Sequence, residues 1–217
     1  MDDMKFFQSK SPQPLKNGFG GDPLKTGSYY KLTPAMEKRA KKYGLTKAIE
    51  TEKKKLLENK REVSKKIATK LFPNEKWIQK GDTVYVAKSR EPKNKQEKDK
   101  YKKELGMAKI ASKYGYCIYL LPENSGDGKK QCDAVMNGEL TEFKKVTGGE
   151  GAVSKRFKEA LDQAPNVYMQ IDSKVTPNRT RELLRGVLNK RPDANGDIYC
   201  YFTEHKKLFI WKMHRLR

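Results

Sequence analysis

Asn137-Gly138 stands between two runs of strand-forming residues, 132–136 and Glu139–Val146. Asn-Gly flanked by such runs is the strongest short-range signal for a two-residue β-hairpin. The turn fixes the register, and the register fixes which side chains meet. In a strand, residues two apart share a face. Glu142 and Lys144 therefore project together, and Asp133 on the paired strand comes close to both. Two carboxylates beside an ammonium can hold a divalent cation and a polarised water, which is what phosphodiester cleavage requires. Leu140, Glu142 and Lys144 fall on one face and Thr141, Phe143 and Lys145 on the other. Neither face is cleanly apolar, which favours a strand lining a cleft over one inside a core. An exposed edge strand with an ordinary cross-strand ion pair is the alternative.

The surroundings of this trio are strongly basic. The 217 residues include 48 Lys and Arg against 27 Asp and Glu, a formal charge of +21. A field of that size attracts polyanions and gives nucleic-acid affinity through counterion release. Nucleic acid is thus favoured over a merely lysine-rich surface or an anionic membrane. Residues 1–100 carry 26 basic and 13 acidic side chains, and residues 101–217 carry 22 and 14. Salt-sensitive binding is expected to depend partly on residues 1–92. Hydrophobic residues make up only 35%, concentrated in the second half, where the core is expected.

Three cysteines, Cys117, Cys132 and Cys200, are widely spaced among apolar residues. They read as buried reduced thiols, neither a disulfide framework nor a zinc knuckle. No apolar run approaches the roughly 20 residues needed to span a bilayer. The start has no apolar signal-peptide core. The expectation is a cytoplasmic protein, or one delivered into a target cytoplasm, with no membrane partner.

Residues 1–32 read as a flexible basic arm rich in Gly, Pro, Ser and Lys. Residues 33–92 read as a helical hairpin plus a short β-hairpin. Thr33-Pro34 starts the first helix, which stops at Gly44, and the second spans Thr46–Leu71. Its apolar stripe is Ile49, Leu56, Val63, Ile67 and Leu71. The small hairpin turns at Lys80-Gly81-Asp82. The first part of the charged run from Ser89 reads as a linker, with a domain boundary near residue 92. Residues 93–217 then give a helix stopped by Gly115, strands at 116–121, 132–136 and Glu139–Val146, and a flexible Gly148-Gly149-Glu150-Gly151. A helix at 154–164, a strand at Asn166–Ile171, a helix from Thr176-Pro177 to about Lys190, and strands at 197–203 and 207–213 follow. The class is α+β: a small mixed or antiparallel sheet flanked by helices, preceded by a basic helical extension.

The order of a helix bearing Glu104, then Asp133, then Glu142-Phe143-Lys144 resembles the PD-(D/E)xK nuclease pattern, with Cys132 where that family has Pro. The resemblance implies that Asp133 and Glu142 ligate Mg²⁺ or a similar ion. Lys144 then orients the attacking water or offsets developing charge. Over residues 100–217 the chain is also similar to the C-terminal nuclease domains of bacterial contact-dependent inhibition toxins and to related phage and mobile-element proteins. That similarity runs through Glu104, Ala108, Ala111, Gly115, Leu121-Pro122-Glu123, Asp133, Asn137-Gly138, Glu142, Lys144 and Gln163-Ala164. It implies RNA cleavage, often of tRNA. Some of these domains group with metal-independent barnase-like and RelE-like RNases. In that case no cofactor is needed, and Lys144, Arg179, Arg181, His205 or His214 supply acid, base or phosphate contacts. Lys145, Arg179, Arg181 and His205 are the candidate substrate contacts. Arg179, Arg181 and Arg185 share one predicted helix, and its face reads equally well as solvated charge. The toxin reading further implies an acidic immunity or inhibitor protein, which a +21 surface would steer. A metal-dependent DNA endonuclease and a non-catalytic nucleic-acid-binding or structural protein remain the alternatives.

Overall fold

A computed structural model describes residues 38, 41–44, 46–123 and 132–217. The arm at 1–32 and most of the helix expected from Thr33 lie outside the described residues. Helix α1 spans Thr46–Leu71. Strands β1 (Trp77–Gly81) and β2 (Val84–Ala87) form an antiparallel hairpin, and a 3-10 turn at Lys88–Arg90 leads to α2 (Lys95–Ser112). Then come β3 (Ile118–Leu120), β4 (Ala134–Met136), β5 (Glu139–Val146), α3 (Glu150–Leu161) and β6 (Asn166–Ile171). Helix α4 (Pro177–Leu188), β7 (Asp197–Phe202), β8 (Lys207–Lys212) and a short α5 (Met213–Leu216) complete the chain.

Among the described residues, eight strands form one mixed sheet in chain order. Three adjacent pairs are parallel, β2 with β3, β5 with β6 and β6 with β7. Each parallel step is bridged by a helix, as parallel pairing demands. The β1–β2 hairpin is continuous with this sheet through β3. The mixed sheet flanked by helices is the expected class, larger than anticipated because the parallel pairs join all the hairpins.

The faces follow from strand alternation. Phe143 and Tyr168 pack with Met107, Ala108 and Ala111 of α2 on one face. On the other, Val146, Val167 and Met169 pack under α3 and α4. Leu140 has the parity of Val146 and packs with Val135, Tyr119 and Ala68 of α1. Helices α1 and α3 therefore cover the same face at different strands. Glu142 and Lys144, between Leu140 and Val146, lie at the seam between them.

Three local readings are corrected. The apolar stripe of α1 is only partly its packed side: Ile67 packs on the core beside the buried Ser64 and Ala68, whereas Leu56, Val63 and Leu71 are exposed. Small side chains let the helix approach the stacked rings of Tyr85 and Tyr119, whose centroids are 4.6 Å apart. The Gly148–Gly151 segment is no free loop, because α3 starts at Glu150 with Gly149 as its N-cap. The charged run from Ser89 is no linker either. Arg90 is buried, and Asn94 accepts a hydrogen bond from the Glu97 N–H at 2.9 Å, capping α2.

Candidate active site

The Asn137-Gly138 turn forms as expected, with φ of +52° and +90°. It pairs Ala134 with Thr141, so Asp133 falls opposite Glu142 one step beyond the ladder. The Asp133 N–H donates to Glu142 Oε2 at 3.2 Å. The Phe143 N–H donates to Asp133 Oδ2 at 3.0 Å. The Lys144 ammonium donates to Glu142 Oε1. Far from being an exposed edge, β5 is central, between β4 and β6, and Glu142 is only 2% exposed.

Glu104 joins this group indirectly. Helix α2 turns it inward, buried at 7% exposure, toward a residue the sequence did not single out. Arg90 Nη2 donates to Glu104 Oε2 at 2.6 Å and lies 3.4 Å from Asp133 Oδ1. Its Nη1 donates to the carbonyl of Leu121 and approaches that of Asp133 at 3.4 Å. The charges thus run Glu104, Arg90, Asp133, Glu142, Lys144, passing around the start of β4 from the α2 side to the α1–α3 side. Arg90 is one basic residue among many in a charged run. Only its place just after the buried β2 (Val84–Ala87) hinted at it.

Burial, and after it the negative charge of Asp133, push the Glu142 carboxyl up against the pull of Lys144, to about 7. Burial also raises Glu104, opposed by Arg90. Asp133 and Glu142 are thus neighbouring carboxylates, each with a cation beside it, Arg90 and Lys144. Two carboxylates with water and phosphate completing the shell are what a hard cation such as Mg²⁺ takes, and Asp133 and Glu142 are the residues that would hold one. Among the described residues no three of His, Cys, Asp and Glu come together as ligands.

The remaining candidates lie elsewhere. Lys145 points to the opposite face from Lys144 and pairs with Asp172 at 2.7 Å. Arg179 on α4 is exposed and pairs with Glu150 at 2.8 Å and Glu182 at 2.7 Å. With Gly149, Glu150 and Lys174 it lines a groove at the ends of β5 and β6. Arg181 is half-buried on the same helix. His205 is exposed in the β7–β8 turn, beyond the end of β7 and two strands from β5. His214 is exposed on α5. The three cysteines are buried free thiols. Among the described residues no helix is long and apolar enough to cross a membrane.

No protein-family model matches the chain, and no curated protein is similar to it in sequence. Among solved structures it is similar to a chain of the CdiA-CT/CdiI toxin and immunity complex from Burkholderia pseudomallei. The likeness covers 56% of this chain and 91% of that one, at 18% identity and a TM-score of 0.42.

Proposed function

We propose that this protein is a nuclease that hydrolyses phosphodiester bonds, with RNA as the favoured substrate, through Asp133, Glu142 and Lys144. The observation that carries the reading is a neighbouring carboxylate pair, Asp133 half-buried and Glu142 buried and bonded to the Lys144 ammonium, inside a chain of net charge +21. Hydrolysis forms a bond from water oxygen to phosphorus, breaks the bond to the leaving oxygen and delivers a proton to it. Charge accumulates on the phosphate as this happens. The Lys144 ammonium, held by Glu142, stabilises that charge more in the transition state than in the ground state. A carboxyl that titrates near neutrality, as Glu142 does, is suited to take the proton from the attacking water. A divalent cation, held by Asp133 and Glu142, would supply Lewis-acid polarisation of the water and a phosphate oxygen.

A second, metal-independent reading is favoured by one observation. Both oxygens of Glu142 and both of Asp133 already face protein donors. Glu142 would then act as the base without a metal. Arg179 and Lys174 at the groove beside β5 and β6 supply phosphate contacts once their partners exchange. An acidic inhibitor protein is the partner class that the charge suits.

The deciding experiment incubates the full chain with tRNA and with plasmid DNA, with and without EDTA. Cleavage of RNA abolished by EDTA supports the metal-assisted nuclease. RNA cleavage indifferent to EDTA supports the metal-independent one, and DNA cleavage redirects the substrate. No cleavage of either leaves a nucleic-acid-binding protein.

A further inference from the structure

The Arg90 side chain is 1% exposed, and its two terminal nitrogens bond to Glu104, Asp133 and the Leu121 carbonyl. A guanidinium offers a rigid fork of donors and does not lose its charge. Here Nη2 lies between the two carboxylates, 2.6 Å from Glu104 and 3.4 Å from Asp133, while Nη1 donates to the Leu121 carbonyl. Asp133 is thereby gripped at both oxygens, Oδ1 facing Arg90 and Oδ2 accepting from the Phe143 N–H. Lys100, 3.9 Å from Glu104, turns outward and is shared with Glu123 at 3.2 Å.

We propose that Arg90 is the resident cation of this cluster, filling the gap between Glu104 and Asp133, so that Glu104 serves as its counter-ion and an external divalent cation is confined to Asp133 and Glu142. Arg90 is a positioning residue that acts through Asp133. Its catalytic consequence rests on the nuclease reading, but its charge role does not. Three carboxylates (Glu104 and Glu142 buried, Asp133 half-buried) face two fixed cations (Arg90, Lys144), which leaves one negative charge in excess when all three are ionised. Removing the guanidinium leaves two in excess, the charge of one divalent ion. Removing Arg90 and neutralising Glu104 together restores the original excess of one.

The test is calorimetric titration of the full chain with Mn²⁺, alongside thermal melting with and without Mn²⁺. Arg90→Gln should bind Mn²⁺ about tenfold or more tightly than the wild type and gain more thermal stability from it. The double variant Arg90→Gln/Glu104→Gln should return to within about threefold of the wild type. Asp133→Asn should abolish binding. If Arg90→Gln does not fold without the ion, the double variant and Arg90→Lys carry the test. Arg90→Lys keeps the charge and loses the fork, so Mn²⁺ affinity holds while kcat for RNA falls with KM unchanged. Unchanged or weaker Mn²⁺ binding by Arg90→Gln overturns the inference. So does a double variant that loses binding as fully as Asp133→Asn, since Glu104 would then be a ligand. Absence of Mn²⁺ binding in every form also overturns it. A wild type that cuts neither RNA nor DNA but shows the expected Mn²⁺ pattern discards the nuclease and keeps the role of Arg90. Cleavage with the reverse pattern does the opposite.

Discussion

Glu142 combines two properties that rarely coexist, near-complete burial and a neighbouring carboxylate. A charge in that position is tolerated only when paired. Its carboxyl, raised to about 7, can take up a proton when the pairing is lost. For that reason Lys144→Ala should remain folded at 25 °C, and so should Glu142→Gln, which puts a neutral side chain of the same size there. Each should lower the rate of RNA cleavage by on the order of a hundredfold or more, with binding retained. Parallel rate measurements and melting curves check this, and melting without any change in specific activity would make the pair purely structural. Asp172 makes a different, pH-dependent contribution. Burial raises its carboxyl, but hydrogen bonds from Lys145, Thr203 and Gln170 outweigh burial, and its net shift is downward. The stability it contributes is full above the unfolded carboxyl value near about 4 and fades as pH falls through the lower folded value. Urea melts from pH 6 to pH 3 should show this loss, and Asp172→Asn should flatten it. Asp133, Glu142 and Lys144 were legible because one Asn-Gly turn sets the register of both strands. Arg90 was not, because its distinction lies in what surrounds it: carbonyls and carboxylates contributed by segments 14 and 43 residues away.

Glycines differ in consequence from one element to the next. Gly138 sits at φ +90° in the β4–β5 turn, and a Cβ there would lie 2.6 Å from Val63 of α1. Gly138→Ala should destabilise the fold by about 1–2 kcal/mol from the backbone conformation alone, and more if Val63 cannot yield. Gly186, inside α4 with open space around it, should behave in reverse, Gly186→Ala stabilising by roughly 0.5–1 kcal/mol. Chemical denaturation of the two variants side by side reads both signs. The boundaries of α1 and of the β4–β5 and β7–β8 hairpins could be read from periodicity and turn residues. The N-terminus of α2 was equally written, as the Asn94-x-x-Glu97 capping pair, but a run of lysines around it looked like linker. The packed face of α1 is centred beside its apolar stripe, sharing Ile67 with it and adding Ser64 and Ala68. Ser64 and Ala68 win since close approach to Tyr85 and Tyr119 needs short side chains.

For the molecule as a whole, charge determines how it meets its partners. Lys54, Lys55 and Lys65 are exposed on α1. Replacing the three by Gln should reduce the slope of log affinity against log salt for RNA by up to about one per lysine that meets a phosphate. Fluorescence anisotropy at several salt concentrations measures it, and an unchanged slope would place the nucleic-acid contact elsewhere. The class of fold was legible from the alternation of helices and strands. The parallel pairings were not, since adjacency of β2 with β3 or β5 with β6 depends on where α2 and α3 lay the chain back down. The order that results has a temporal side. Each described strand after the first is the sheet neighbour of the described strand before it, so a chain emerging from the ribosome can add these strands one by one, each finding its partner already formed. Asp133 and Glu142 then meet while still washed by water, as soon as the β4–β5 hairpin closes. Their dehydration is deferred until Val167 of β6 docks against Glu142, when the cations that offset it have all been synthesised.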